Sequence, residues 1–152
     1  MPGGGGIGVF LLLIVFLPLY FILRKPKKTF VKFTNNELVK VHENLNSSQD
    51  DLYLKANEWI VGILKDAKSV IQHTDKEKGV IIGKYLMNSH AEVYATIDIR
   101  VKDGRARLAI TPNDYFYYET KKFSYTKKDA INDMNRLAQR FYEKIKSEKI
   151  DF

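Results

Sequence analysis

Cysteine is absent from the 152 residues. That excludes disulfide staples, thiolate metal sites, a catalytic thiol and an acylated lipoprotein cysteine, and it leaves the compartment open. Acidic residues are missing from the beginning of the chain, where no Asp or Glu precedes Glu37. Familiar catalytic patterns are missing too. His42, His73 and His90 are isolated in sequence, and only His73 has a carboxylate close by, Asp75. Two such groups fall short of a metal site. Serines 47, 48, 69, 89 and 124 lie outside any nucleophile-elbow pattern, and Gly3 to Gly6 lacks the Gly-Lys-Ser/Thr ending of a phosphate loop. No cofactor is expected, and nothing in the pattern points to an enzyme.

What is present begins with one uncharged apolar run, Ile7 to Leu23, closed by Arg24-Lys25-Pro26-Lys27-Lys28. At ~1.5 Å per residue it makes a helix of roughly 26 Å, enough for a thin bilayer core. A cleaved signal would carry a charged start, a shorter apolar stretch and a small-x-small end. This run has none of these, so it reads as a retained single-pass anchor with the lipid bilayer as its partner. The net charge of +7 belongs mostly to the arm behind it. Residues 24 to 33 hold five basic side chains and no acid, and the remainder is nearly balanced. Basic residues stay on the cytoplasmic side of short loops, which puts the following domain in the cytoplasm, with an exported, anchored domain as the alternative. The expected organisation is a glycine-rich tail (1–6), a membrane helix (7–23), a basic linker (24–37), one domain (38–148) and a tail (149–152).

Within that domain, Leu38 to Glu43 has the content of a short first strand. Ser48 and Asp51 open a helix whose buried stripe is Leu52, Ala56, Trp59, Ile60, Ile63 and Leu64. Trp59, the single tryptophan, is expected in the core. Ser69 to Thr74 and Gly79 to Met87 flank a charged tip at 75–78. The clearest strand runs from Glu92 to Lys102, with Val93, Ala95, Ile97, Ile99 and Val101 alternating against polar residues. Asp103-Gly104 is a two-residue hairpin signal that calls for positive φ at both positions. It pairs Lys102 with Arg105, Val101 with Ala106, Arg100 with Arg107 and Ile99 with Leu108. After the strand through Ile110 comes an aromatic run, Tyr115 to Tyr118, expected to serve core and edge packing or to form a binding lip. A last helix opens at Thr126 and Asp129 and buries Ile131, Met134, Leu137, Ala138, Phe141 and Ile145. The expected fold is α+β, a curved antiparallel sheet of about five strands with two helices on one face.

Three stretches carry a family resemblance: Asp51-Leu52-Tyr53-Leu54-Lys55-Ala56-Asn57-Glu58-Trp59-Ile60, Val70-Ile71-Gln72, and Asp75 through Lys84. From Leu38 to Lys146 the chain resembles a bacterial domain family of unknown function with a TATA-binding-protein-like fold. The resemblance implies that fold and lends no mechanism. Members of the family commonly look exported or lipid-anchored. This chain departs from them in having no lipid-accepting cysteine and a basic cluster after its apolar run.

Two groups of residues remain as candidates for binding. Arg24, Lys25, Lys27 and Lys28 form the membrane-proximal basic arm, suited to anionic headgroups. Tyr94, Thr96, Asp98, Arg100, Lys102, Arg105 and Arg107 form the polar face of the hairpin. Directly opposed cations there cost stability, and Asp98 offsets part of that repulsion. Such a face suits a protein partner or anionic lipid. The alternative is a membrane-tethered nucleic-acid binder using this face or, as a lesser one, an enzyme with an unrecognised site. The mild charge of the domain argues against strong nucleic-acid affinity, since several phosphate contacts call for a larger basic field. A bland alternative is a solvated face whose long stems cover the sheet.

Overall fold

Strict alternation along the best strand, buried at Val93, Ala95, Ile97, Ile99 and Val101 and polar between them, sets the architecture. One sheet face is apolar and must be covered, and the other faces water. The computed structural model describes residues 26–34, 38–65 and 68–147. The glycine-rich start, the apolar run Ile7 to Leu23, Arg24, Lys25 and the tail 149–152 lie outside the described residues. Among the described residues no helix is long and apolar enough to cross a membrane.

The elements are β1 (Lys27–Val31), β2 (Leu38–His42), α1 (Gln49–Ile63), β3 (Val70–Asp75), β4 (Val80–Asn88), β5 (Val93–Lys102), β6 (Arg105–Pro112), β7 (Tyr115–Glu119) and α2 (Lys127–Lys146). Five strands form one antiparallel sheet in the order β2-β6-β5-β4-β3. Helix α1 carries the chain from one edge, β2, to the other, β3, and the meander β3 to β6 returns it beside β2. Both helices pack on the same face, with Leu52, Ala56, Trp59 and Ile60 of α1 and Met134, Leu137, Phe141 and Ile145 of α2 in one core with Ile97, Ile99, Leu108 and Ile110. Trp59 meets Phe141 edge-on at 5.1 Å, and Lys144 Nζ lies 2.9 Å from Glu58 Oε2 across the helix pair.

The helix starts are built as the sequence suggests. Ser48 Oγ accepts from the Asp51 amide at 3.2 Å, and Asp103 Oδ1 accepts from the Gln49 amide at 2.7 Å. At α2 both halves of a capping box form between Thr126 and Asp129. Those hydrogen bonds hold the Asp129 carboxyl below its usual range.

Four expectations change. The stretch 24–37 is not all linker, because Lys27–Val31 is a strand paired with the aromatic run, Thr29 opposite Tyr117 and Phe30 opposite Phe116. The aromatic run is thus a strand of a second, two-stranded sheet, β1-β7. Its alternate residues Tyr115 and Tyr117 are buried with Val31, Val93, Tyr125 and Ala130 in a second core. At the hairpin, only Gly104 has positive φ, at 72°. The tip is docked rather than free: the Gly104 amide donates to Ser47 O at 2.9 Å, and the Leu45 amide donates to Gly104 O at 2.9 Å. The register is nonetheless the expected one, from Lys102 opposite Arg105 to Ile99 opposite Leu108. Finally, α2 turns Ala130 inward and leaves Ile131 exposed.

Candidate functional site: the open sheet face

With both helices on one side, the other side of the five-stranded sheet is left uncovered by any described helix. Residues directly opposite across a ladder share a face, so the pairing register lays this surface out in rows. One row runs Val41, Arg107, Arg100, Val80 and Asp75. The next runs Val39, Ala109, Asp98, Ile82 and His73, and a third holds Thr111, Thr96, Lys84 and Val70. Lys102 and Arg105 sit beyond the first row at the hairpin tip, and Tyr94 lies beyond the third, opposite Leu86.

The expected polar face is therefore one surface in the structure. Tyr94, Thr96, Asp98, Arg100, Lys102, Arg105 and Arg107 all project to it. Its cations gather at the hairpin end. Asp98 accepts from Arg100 Nε at 3.1 Å and from Nη2 at 3.3 Å, a two-pronged contact along one strand. That hydrogen bond, and then the charge behind it, raise the Arg100 pKa above its ordinary value. Arg105 Nη2 lies 2.9 Å from Glu43 Oε1. At the far end Lys84 Nζ stands 4.1 Å from the centre of the Tyr94 ring, a cation–π contact.

The sequence reading missed what lies between these residues. Val39, Val41 and Val70 are exposed on this same side, and Lys84 adds another cation. The signal was weak because β4 is apolar toward both faces and β2 spans only five residues. The surface is thus mixed: an arginine-rich end, a central carboxylate and apolar flanks on the two edge strands.

The remaining candidates are dispersed. Lys27 and Lys28 fall in β1, in the second sheet, away from the arginine-rich surface. His42 lies on β2 and His73 on β3, at opposite edges of the sheet and on opposite faces. His42 packs on the Tyr142 ring at 4.5 Å. Burial, and then Lys146 and Lys40, lower its pKa, so it is neutral at pH 7. His90 stacks against Phe123 at 4.0 Å. Asp75 caps its own turn, accepting from the Lys78 amide at 3.0 Å. Among the described residues no group of three or more His, Asp or Glu side chains is placed to hold a metal.

A cleft of about 470 Å³ runs beside His42 between β2 and α2, lined also by Asn135, Gln139 and Tyr142. Another of about 450 Å³ lies by the docked loop, lined by Asn44, Ser47 and the buried Lys55. In the second core, Tyr115 Oη donates to Tyr125 O at 2.6 Å and Tyr125 Oη to Asp133 Oδ2 at 2.5 Å. Burial raises both phenol pKa values, with the Asp133 hydrogen bond adding to the rise at Tyr125. These phenols are structural donors.

No curated protein matches the chain. Among solved structures, a TBP-like protein from Parabacteroides distasonis is similar at a TM-score of 0.56, with 14% identity over 78% of this chain and 98% of that one. A DUF4468 family protein from Bacteroides ovatus is 19% identical over 74% of this chain and 84% of that one, at a TM-score of 0.46. At such identities the first likeness concerns the fold alone. The family profile for a domain of unknown function (DUF4468) with TBP-like fold matches residues 40–116, which span β2 to the start of β7. That match covers half of the chain, and the protein belongs to this family.

Proposed function

We propose that the protein is a membrane-tethered, non-catalytic interaction module that holds an acidic surface of a protein partner on the open face of its sheet. The observation that supports this most is the clustering of Arg100, Lys102, Arg105 and Arg107 at one end of an uncovered sheet face. Arg100 and Arg107 are directly opposite, which concentrates positive charge on the open face and favours an anionic occupant. Exposed Val39 and Val41 on the adjoining edge strand supply apolar contact beside the charges. The tether in this reading is the run Ile7 to Leu23, and the basic arm behind it supports a cytoplasmic domain. The TBP-like fold name carries no activity with it, since one fold hosts many functions.

The test uses the full chain in neutral-lipid nanodiscs and three probes over a salt series: an acidic polyglutamate peptide, duplex DNA and RNA. The expected result is salt-sensitive binding of the peptide, weakened at least tenfold in the R100Q/R107Q double variant with the melting temperature unchanged. Preference for DNA or RNA, with a steep salt slope lost in that variant, makes the face a nucleic-acid surface instead. Equal binding of all probes by wild type and variant contradicts any role for the face.

A further inference from the structure

The ribbon β1-β7 has an inner face that builds the second core and an outer face of exposed aromatic rings. Register puts Lys28 with Tyr118 and Phe30 with Phe116 on that outer side. Their aromatic rings are open to solvent, Phe30 at 64%, Phe116 at 48% and Tyr118 at 52% exposure. They form one patch. Phe116 and Tyr118 meet edge-on at 6.2 Å, and Lys28 Nζ lies 4.2 Å from the centre of the Phe116 ring. Lys27, Lys32 and Lys122 are exposed around the ribbon.

We infer that this aromatic face is a second membrane contact, lying in the headgroup region of an anionic bilayer beside the tether. The inference rests on the tethered reading above. Five backbone steps separate Leu23, the end of the apolar run, from Lys28. Fully extended they reach at most ~18 Å, so the ribbon cannot leave the vicinity of the surface. Tyr118, an apolar ring with a hydroxyl end, favours that depth, Phe30 and Phe116 add apolar area beside it, and the lysines complement anionic headgroups. A strand ribbon with aromatics outward and lysines at its margin matches the chemistry of the layer that lies within the tether's reach. The arginine-rich face belongs to the other sheet, so a protein partner and the bilayer are held by different surfaces.

The absence of cysteine makes the test direct, because one introduced cysteine is a unique label site. Nitroxides are placed on the full chain at L13C, F116C, Y118C and, as an aqueous reference on exposed α1, V61C. The chain is held in nanodiscs of phosphatidylcholine and phosphatidylglycerol. Collision with lipid-soluble oxygen is compared with collision with a water-soluble nickel chelate. The expected oxygen-to-nickel ratio at positions 116 and 118 is several-fold above that at 61 and below that at 13. Removing phosphatidylglycerol lowers it at 118 and not at 13. If position 13 lies in lipid while 116 and 118 match 61, the second contact is overturned and the tether stands. If position 13 matches 61, the tether itself fails and the contact with it. Dipolar broadening between labels at 116 assigns the face to a second copy of the chain and overturns the membrane contact.

Discussion

The two cores of this domain are made from different materials. The larger, under α1 and α2, is aliphatic, with Ile97, Ile99, Leu108, Ile110, Leu52 and Ile60 closed by a Trp59–Phe141 contact. Its geometry comes from period-2 strands and helical stripes. The smaller, under the β1-β7 ribbon, is a tyrosine cluster held by oriented hydrogen bonds from Tyr115 to Tyr125 and from Tyr125 to Asp133. Arg136 completes it, 2.8 Å from the other Asp133 oxygen. Cavity cost therefore governs the first region, and satisfaction of polar groups governs the second. Substitutions that remove volume and substitutions that remove a hydroxyl separate the two.

The largest expected effect is in the aliphatic core. Phe141→Ala or Trp59→Ala should each destabilise by about 3 to 5 kcal/mol, measured by denaturant unfolding. Trp59→Phe sharpens the point. The Trp59 indole Nε1 is buried without an acceptor among the described residues, so this change removes an orphaned donor and should cost less than ~1.5 kcal/mol. A large loss in the phenylalanine variant would mean that the indole has a role other than filling space.

In the tyrosine core the order reverses, and a single oxygen matters. Tyr125→Phe should cost about 2 kcal/mol, because it strips a hydrogen bond from the charged Asp133 carboxylate. Tyr115→Phe, which frees only a backbone carbonyl, should cost about 1 kcal/mol. Equal, negligible losses would reduce this region to ordinary packing. A comparable step of about 1 kcal/mol is expected for Thr126→Ala at the α2 cap.

The smallest effect depends on pH. The folded protein holds the His42 pKa below 6.5, so the unfolded chain takes up that proton first. Its contribution to stability is complete above the ordinary imidazole value and declines as pH falls through it toward the folded pKa. Asp129, shifted below the usual carboxylate range, acts in the same direction at lower pH. His42→Gln should therefore flatten the stability profile between neutral and mildly acidic pH, by comparison of denaturation midpoints. A profile that keeps its slope would place the titrating group elsewhere.

The same contrast explains what the sequence disclosed. The β5-β6 hairpin was legible down to its register because ten residues alternate without a break into Asp103-Gly104. Trp59 and Phe141 fell where helical periodicity put them. The polar face followed from the same alternation, so Tyr94, Asp98, Arg100, Arg105 and Arg107 emerge together, while Lys84 and the valines of β2 and β3 were hidden on strands lacking a polar stripe. The ribbon was opaque. Lys27–Val31 reads as a charged arm, and Tyr115 to Tyr118 is aromatic at every position, so neither shows which face turns inward. Their pairing joins residues 88 positions apart, such as Thr29 and Tyr117, a contact that local pattern does not reach. The turn of α2 that exchanged Ile131 for Ala130 follows from that missing core, since Ala130 packs against the ribbon's tyrosines.

Whether the ribbon belongs to the folded unit or merely precedes it can be settled by thermal unfolding of two truncations, residues 26–152 and 38–152. Both retain the five-stranded sheet and both helices, and only the first keeps β1. Among the described residues β1 is the sole strand partner of β7. Its removal takes away the buried Val31 and opens Tyr115 and Tyr117 to water. The longer fragment should unfold cooperatively. The shorter should melt lower by about 10 °C, on the order of 3 kcal/mol. Equal midpoints for the two fragments would contradict this account and return residues 27–31 to the role of a linker.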